Sequence, residues 1–425
     1  MKSLSLGFTN QSKNFPDLPI QIDEVPLLAL ETFPTDSHTK THLSPEIFLR
    51  RDSKGKFIPN LYLIRDDLLP FGFGTKWRKA LGIIEYLKSN RIKQVLLWGA
   101  IHGNYLASFT YIFRCFEIEV ETIAYTRDPK LKTYNEQLVR GHSHSIHCYA
   151  NRKEAYAAWF EKKERYQGLA LPEFGIHPGQ ILGLKEFWEN LKKEMEICLK
   201  GKPTHKGQEE SEPTEKGYGI DTTPPNIRQN PQGIDSILVM EIGSGATFLS
   251  ALDVFQETSV LVLGVMVGEP KVEWIGKIES IQRQLGLKTI PIPSEQILEI
   301  PSQIPGNGQK TDLPIEPKKK SISFGKNHKT ITEWIADFYR NTNILLEPVY
   351  SGITVYPLLR EIYEMRDSAK NNPVENSQIN SGKDLYAKQN QFLRRNIPGE
   401  LVPVFYLHQG GQIQHLDLIL DKDSK

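Results

Sequence analysis

The chain has 425 residues, 39% of them hydrophobic, which is enough for two domain cores of ordinary size. Its 52 basic and 51 acidic side chains leave a net charge of +1, which argues against a broad electrostatic footprint for nucleic acid. Cys115, Cys148 and Cys198 are scattered and odd in number, so neither a disulfide framework nor a paired-cysteine metal site is implied.

The opening MKSLSLGFTNQSKNFPDLP has no apolar signal core, and the longest apolar run, Val260 to Gly268, is too short to span a bilayer. A soluble, cytoplasmic protein without membrane contact is expected. From about Asn60 short apolar runs alternate with helical patterns. Leu61 to Ile64 reads as a strand, and Trp77 to Leu87 as a helix with Leu81, Ile84 and Leu87 on one face. Gln94 to Trp98, Glu119 to Tyr125 and His144 to Tyr149 read as strands. Helices are expected between and after them at Asn104 to Cys115, near Leu131 to Val139, and at Arg152 to Tyr166. The pattern restarts with Ser236 to Ile242, a short helix after Gly245, a strand over Ser259 to Val267 and a helix near Lys271 to Leu285. Such alternation predicts parallel sheets with crossover helices. The polar stretches 201–233, 302–329 and 367–382 interrupt it and read as exposed flexible insertions.

Several segments carry chemistry. In FGFGTKWRKALG (Phe71 to Gly82) a glycine turn opens a helix with Lys76, Arg78 and Lys79 in one turn, where the macrodipole disfavours cations. Either they are solvated surface side chains, or they await an anion or a carbonyl cofactor. In MEIGSGAT (Met240 to Thr247) an apolar strand runs through glycines into a helix, a geometry that suits phosphate but is common without it. An apolar strand is expected to join a helix through Tyr350-Ser351-Gly352, and Val402 to Gly411 ends a strand in His-Gln-Gly-Gly. Glycine and hydroxyl residues at several strand ends furnish the carboxyl edge of a sheet, where α/β ligands bind. His142, His144 and His147 are clustered without a second group of ligands, so no metal site is expected there.

In order, RDD (Arg65 to Asp67), GFGTKWRK (Gly72 to Lys79), GAIHGNY (Gly99 to Tyr105), GSGAT (Gly243 to Thr247), PVYSG (Pro348 to Gly352) and HQGG (His408 to Gly411) resemble the motifs of one family. IHPGQILGLKEF (Ile176 to Phe187) is similar to a further segment of it. The family is that of 1-aminocyclopropane-1-carboxylate (ACC) deaminase and D-cysteine desulfhydrase, pyridoxal-phosphate enzymes of the tryptophan synthase β-like fold (fold type II). The resemblance runs from about residue 60 to 415.

It implies an α/β protein with two domains of open twisted sheets flanked by helices. A small domain over 80–200 would be inserted into a discontinuous cofactor-binding domain of 1–79 and 201–425. It implies pyridoxal 5'-phosphate as cofactor, a small amino acid as substrate, and a homodimer. Lys76 would be the Schiff-base lysine and the base. Lys79, the backbone of Gly243, Ser244, Gly245 and Ala246, and Thr247 would hold the phosphate. Asn104 would meet the cofactor's phenolic oxygen, Tyr350 would stack near the ring or reach the substrate, and Ser351 would face the ring nitrogen.

A hydroxyl at 351, where the deaminase has glutamate, leaves that nitrogen neutral and tilts the reading toward desulfhydrase-like α,β-elimination. ACC deaminase activity and a catalytically silent or partner-binding relative are the alternatives. The chain departs from the motifs at Thr75 (family Asn), Gly103 (Ser), Tyr105 (His), Ile353 (Lys) and Gln409 (Thr). The loss of the serine leaves room for a larger substrate or hands its role to another group, such as His102.

Overall fold

The computed structural model describes residues 18–25, 49–51, 57–59, 61–200, 234–299, 329–359, 402–413 and 415. The three polar stretches lie outside these residues, except that Lys329 opens a helix. The described residues open with β1 (Ile22–Glu24), the antiparallel pair β2 (Leu49–Arg51) and β3 (Phe57–Pro59), and β4 (Leu61–Ile64). It continues through α1 (Lys76–Ser89), β5 (Gln94–Ala100), α2 (Asn104–Cys115), β6 (Glu119–Tyr125) and α3 (Tyr134–His142). Then come β7 (Ser145–Tyr149), α4 (Arg152–Lys163), β8 (Leu169–Ala170) and α5 (Pro178–Lys200). The last part holds β9 (Ser236–Ile242), α6 (Ala246–Phe255), β10 (Val260–Met266), α7 (Lys271–Ile275) and α8 (Ile278–Gln284). After β11 (Ile297–Glu299) and α9 (Lys329–Thr342) come α10, over 351–359, and β12 (Val404–Leu407).

Among the described residues these elements form two separate α/β sheets. One has the order β1-β4-β12-β9-β10-β11 and is parallel except for β1. The other, β7-β6-β5-β8, is parallel throughout and is formed between β4 and β9 in the chain. Strand alternation divides the larger sheet into two faces. Tyr62, Ile64, Leu238, Met240, Phe405 and Leu407 pack with α5 and α6, while Leu61, Leu63, Ile237, Val239, Val404 and Tyr406 pack with α9 and α10. The smaller sheet shares its core with α1 and α2. Thus α1 packs with the smaller sheet and α5 with the larger, and the two helices cross with their backbones nearly touching: a Cβ on Gly82 would stand 2.1 Å from the Gly179 carbonyl oxygen.

The structure corrects three of the expected elements. Helix α3 starts at Tyr134 rather than near Leu131 because the Thr133 hydroxyl accepts the Glu136 N–H at 3.1 Å and caps it there. The helix expected over 271–285 is two, α7 and α8, parted at Gly276, a poor helix former. The apolar run before Pro348 forms no strand. Its carbonyl groups bond side chains instead: Leu345 O accepts from His408 Nε2 (3.1 Å) and Gln412 Nε2 (3.1 Å), and Leu346 O lies 3.0 Å from His415 Nε2.

Candidate active site

The carboxyl ends of β4, β9 and β12 meet the start of α1, and the basic cluster there is not a solvated surface. Arg78 is 5% exposed and bound to Asp66 through Nε (2.9 and 3.1 Å) and Nη2 (2.7 Å). Its guanidinium also donates to the Leu18 and Pro19 carbonyl oxygens (3.3 and 3.1 Å) and lies 4.0 Å over the Phe187 ring. Arg65 binds Asp67 (2.8 and 2.9 Å) and Asp23 (2.6 Å). The Arg-Asp-Asp motif is therefore a set of buried ion pairs that fixes the first turn of α1. Breaking one member of such a pair costs about 3–5 kcal/mol, because the other charge is left buried.

Two glycine motifs far apart in sequence interlock beside this turn. Gly411 N–H donates to Gly72 O at 2.7 Å. A Cβ on Gly74 would stand 1.8 Å from the Gln409 carbonyl oxygen, and one on Gly410 2.6 Å from the Gly74 nitrogen. Both glycines have positive φ, +61° and +87°, so neither the space nor the backbone admits another residue. The fit also joins two departures from the family pattern, since the Thr75 hydroxyl donates to Gln409 Oε1 at 3.4 Å.

Lys76 and Lys79 are half-buried and line this corner of the fold. Burial lowers the Lys76 amine from its ordinary value, against the pull of the Glu347 and Glu241 carboxylates. Lys79 is lowered to about 7, first by burial and then by Lys76. Neither carboxylate stood out in the sequence. Glu241 is the penultimate residue of β9, on the same face as Tyr406, whose hydroxyl donates to it, and Gln409 Nε2 donates to its carboxylate (3.0 Å) and to its carbonyl oxygen (2.8 Å). Glu347 accepts the N–H groups of Val349 (2.8 Å), Tyr350 and Ser351 (2.6 Å), capping α10. Burial pushes Glu347 up to about 8, against the pull of those donors, and raises Glu241 as well. A charge inside an apolar strand and an acid between two leucines and a proline were the available signals.

Asn104 opens α2, and its Oδ1 accepts from Asn135 Nδ2 at 2.8 Å. Gly103 precedes it as a cap without a side chain. The His102 ring spans two threonines, with Nδ1 3.0 Å from Thr133 Oγ1 and Nε2 3.0 Å from Thr126 Oγ1. Tyr105 donates to Pro172 O at 3.4 Å and packs on Phe109.

At the end of β9 the turn Gly243–Gly245 leads into α6, whose first N–H groups have no side-chain cap. Gly245 has φ +89°, and a Cβ on it would lie 2.6 Å from the Trp274 ring. Ala246 and Thr247 are buried in the first turn of α6. Tyr350 stands beside Glu347 and Glu241, and burial followed by those two charges keeps its phenol protonated well above the ordinary value. The Ser351 hydroxyl accepts the Glu347 N–H (2.8 Å) and donates to the Glu347 carbonyl oxygen (3.3 Å). The histidine cluster stands apart: His142 packs edge-on to Tyr111 and His147 lies 3.7 Å from Glu121. Among the described residues no group of three acids, histidines or cysteines could hold a metal ion, and no helix is long and apolar enough to cross a membrane.

No family model matches the chain, and no curated protein matches it significantly. Solved structures do. An ACC deaminase homologue superposes with a TM-score of 0.55 at 18% identity, over 95% of this chain and 94% of that one. An O-acetylserine sulfhydrylase isoform from Entamoeba histolytica gives 0.49 at 11% identity, over 96% and 92%, and a threonine deaminase isoform from Solanum lycopersicum 0.42 at 12%, over 85% and 79%. The chain has the tryptophan synthase β-like α/β fold, two open sheets flanked by helices, as the order of its motifs implied.

Proposed function

We propose that the chain is a pyridoxal-phosphate-dependent lyase or deaminase acting on a small amino acid, with desulfhydrase-like α,β-elimination as its reaction. The observation that carries this reading is the Lys76 amine, lowered by burial and set against the end of the strand that feeds the uncapped turn Gly243–Gly245. The donor set suits the cofactor. Lys79 and the N–H groups from Gly243 to Thr247 would hold its phosphate, Asn104 its phenolic oxygen and Lys76 its aldehyde carbon. When bound, pyridoxal phosphate supplies a sink for the electron pair left at Cα.

The remaining steps belong to the chain. Lys76, its amine made less basic by burial, takes the Cα proton. Tyr350, held protonated, gives a proton to the leaving group. Glu241 and Glu347 act on Lys76, and Asp66 acts on Lys79. Ser351 reaches a ring nitrogen only by turning its hydroxyl, whose hydrogen points to the Glu347 carbonyl oxygen. A homodimer of this chain is part of the same proposal.

The test is to supply D-cysteine to the cofactor-loaded protein and assay pyruvate, sulfide and ammonia in equal amounts. Cofactor binding without turnover of D-cysteine, ACC or other D- and L-amino acids would support a silent relative instead. That second reading is favoured by the bare Gly103 and the doubly held His102.

The phosphate assignment has its own pH signature. Lys79 at about 7 in the empty site holds fewer protons than the unfolded chain above that pH, so the empty protein gains stability as pH rises toward the lysine's ordinary value. A phosphate beside Lys79 restores the proton. Binding of pyridoxine 5'-phosphate, which has the phosphate but no aldehyde, is therefore expected to take up close to one proton at pH 8. Its affinity should fall about tenfold per pH unit above 7. Calorimetry in two buffers of different ionisation enthalpy measures this, and zero uptake would remove Lys79 from the phosphate site.

A further inference from the structure

Asn135 sits in the first turn of α3, is 1% exposed, and has no part in the roles assigned above. Its Nδ2 donates to two oxygens where the loop after β5 enters α2: the His102 carbonyl (2.9 Å) and Asn104 Oδ1 (2.8 Å). A carbonyl oxygen can only accept, so the end of Asn135 that meets it is the amide NH2. The end of Asn104 that meets the same NH2 must then be its oxygen. This fixes the orientation of the Asn104 amide without reference to any ligand. Its Nδ2 is turned the other way, to within 3.3 Å of where a Cβ on Gly411 would stand, next to the Glu347 side chain. The same loop is tied to α3 a second time, because Thr133, which caps α3, also meets the His102 ring.

We infer that Asn135 is the positioning residue for Asn104: it determines that the amide presents a donor, not an acceptor, to the active site. The inference rests on the proposed function, in which Asn104 faces an anionic oxygen of the cofactor. An asparagine amide is nearly symmetric in shape, so packing alone cannot choose its donor end; the second amide, itself oriented by a backbone carbonyl, makes that choice.

The test compares wild type, Asn135→Asp and Asn135→Ala for pyridoxal-phosphate affinity and for the pH midpoint of the bound cofactor's visible band. Aspartate has the shape of asparagine but only accepts. It draws Asn104 Nδ2 toward itself and turns Oδ1 to the ligand, so affinity should fall at least tenfold and the midpoint should rise. Alanine leaves the amide free to present either end, so the loss should be two- to threefold. A packing role gives the reverse order, since alanine leaves a cavity and aspartate does not. In an Asn104→Ala background neither substitution should have a further effect on affinity.

An unchanged band and affinity in Asn135→Asp, equal losses in both backgrounds, or alanine worse than aspartate would overturn the inference. Should the aspartate variant not fold, the alanine variant in the two backgrounds decides alone. Wild type that takes up no pyridoxal phosphate would overturn the functional reading itself, and this inference with it.

Discussion

Lys76→Ala is expected to abolish the visible absorption that the wild-type protein gains with pyridoxal phosphate, and to lower turnover about 10⁴-fold. Two lysines compete for the assignment. Lys79, lowered to about 7, has a substantial unprotonated fraction at neutral pH, as a nucleophile needs. Position favours Lys76: Glu347 and Glu241 bear on it, while Lys79 lies toward the Arg78–Asp66 pair and feels Asp66. Lys79→Ala should accordingly weaken cofactor affinity and keep the band at saturating cofactor. The reverse pattern, with the band surviving Lys76→Ala and lost in Lys79→Ala, would exchange the two roles. The empty Lys76→Ala protein should remain folded, because the substitution removes a desolvated cation. It also strips a counter-charge from Glu347, whose raised value marks stability already lost as pH climbs from the ordinary carboxylate range toward 8. The melting temperature of the variant should therefore go on falling with pH above about 8, where the Glu347 contribution in wild type is exhausted.

Much of this site could be read from residue order. Strand–helix alternation matches the element types from Leu61 to Tyr166 and from Ser236 to Met266 but assigned nothing to the 23-residue helix α5, and the glycines at the ends of β5, β9 and β12 marked strand ends correctly because a glycine that must accept backbone contact leaves a local trace. What could not be read is what those motifs do to one another. That Gly74 and Gly410 exist for a shared contact is a fact of two loops over 300 residues apart, invisible to any local pattern. The same holds for Thr75 and Gln409, which look like independent departures and are hydrogen-bonded partners. Glu241 and Glu347 were missed because burial of a charge is a tertiary property; in sequence each is one acidic residue in an apolar neighbourhood. The segment before Pro348 misled for a related reason. Its apolar content signals burial, which a strand and a packed loop share; its carbonyl partners are the side chains of His408, Gln412 and His415.

The helix crossing that joins the two sheets should be the most sensitive point of the fold. Gly183→Ala places a methyl 2.0 Å from the Arg78 carbonyl oxygen and 2.9 Å from the Gly82 nitrogen, both backbone atoms that cannot rotate away. Replacing glycine by alanine within a helix ordinarily stabilises by up to about 1 kcal/mol. Here α1 and α5 must instead move apart, and overpacking of that kind costs about 3 kcal/mol. The clash wins, and the melting temperature should drop by several degrees. Gly141→Ala is the control within the same chain. It too lies in a helix, α3, but nothing stands within 4 Å of its added methyl, so it should be neutral or mildly stabilising. The crossing also governs the site. Arg78 sits between Lys76 and Lys79, so a displaced Arg78 carbonyl carries both lysines with it. Gly183→Ala should then weaken binding of pyridoxine 5'-phosphate even at temperatures where the protein is fully folded. A variant that is destabilised yet binds with wild-type affinity would mean that α1 yields at its distal end and that the Asp66–Arg78 pair holds the first turn in place unaided.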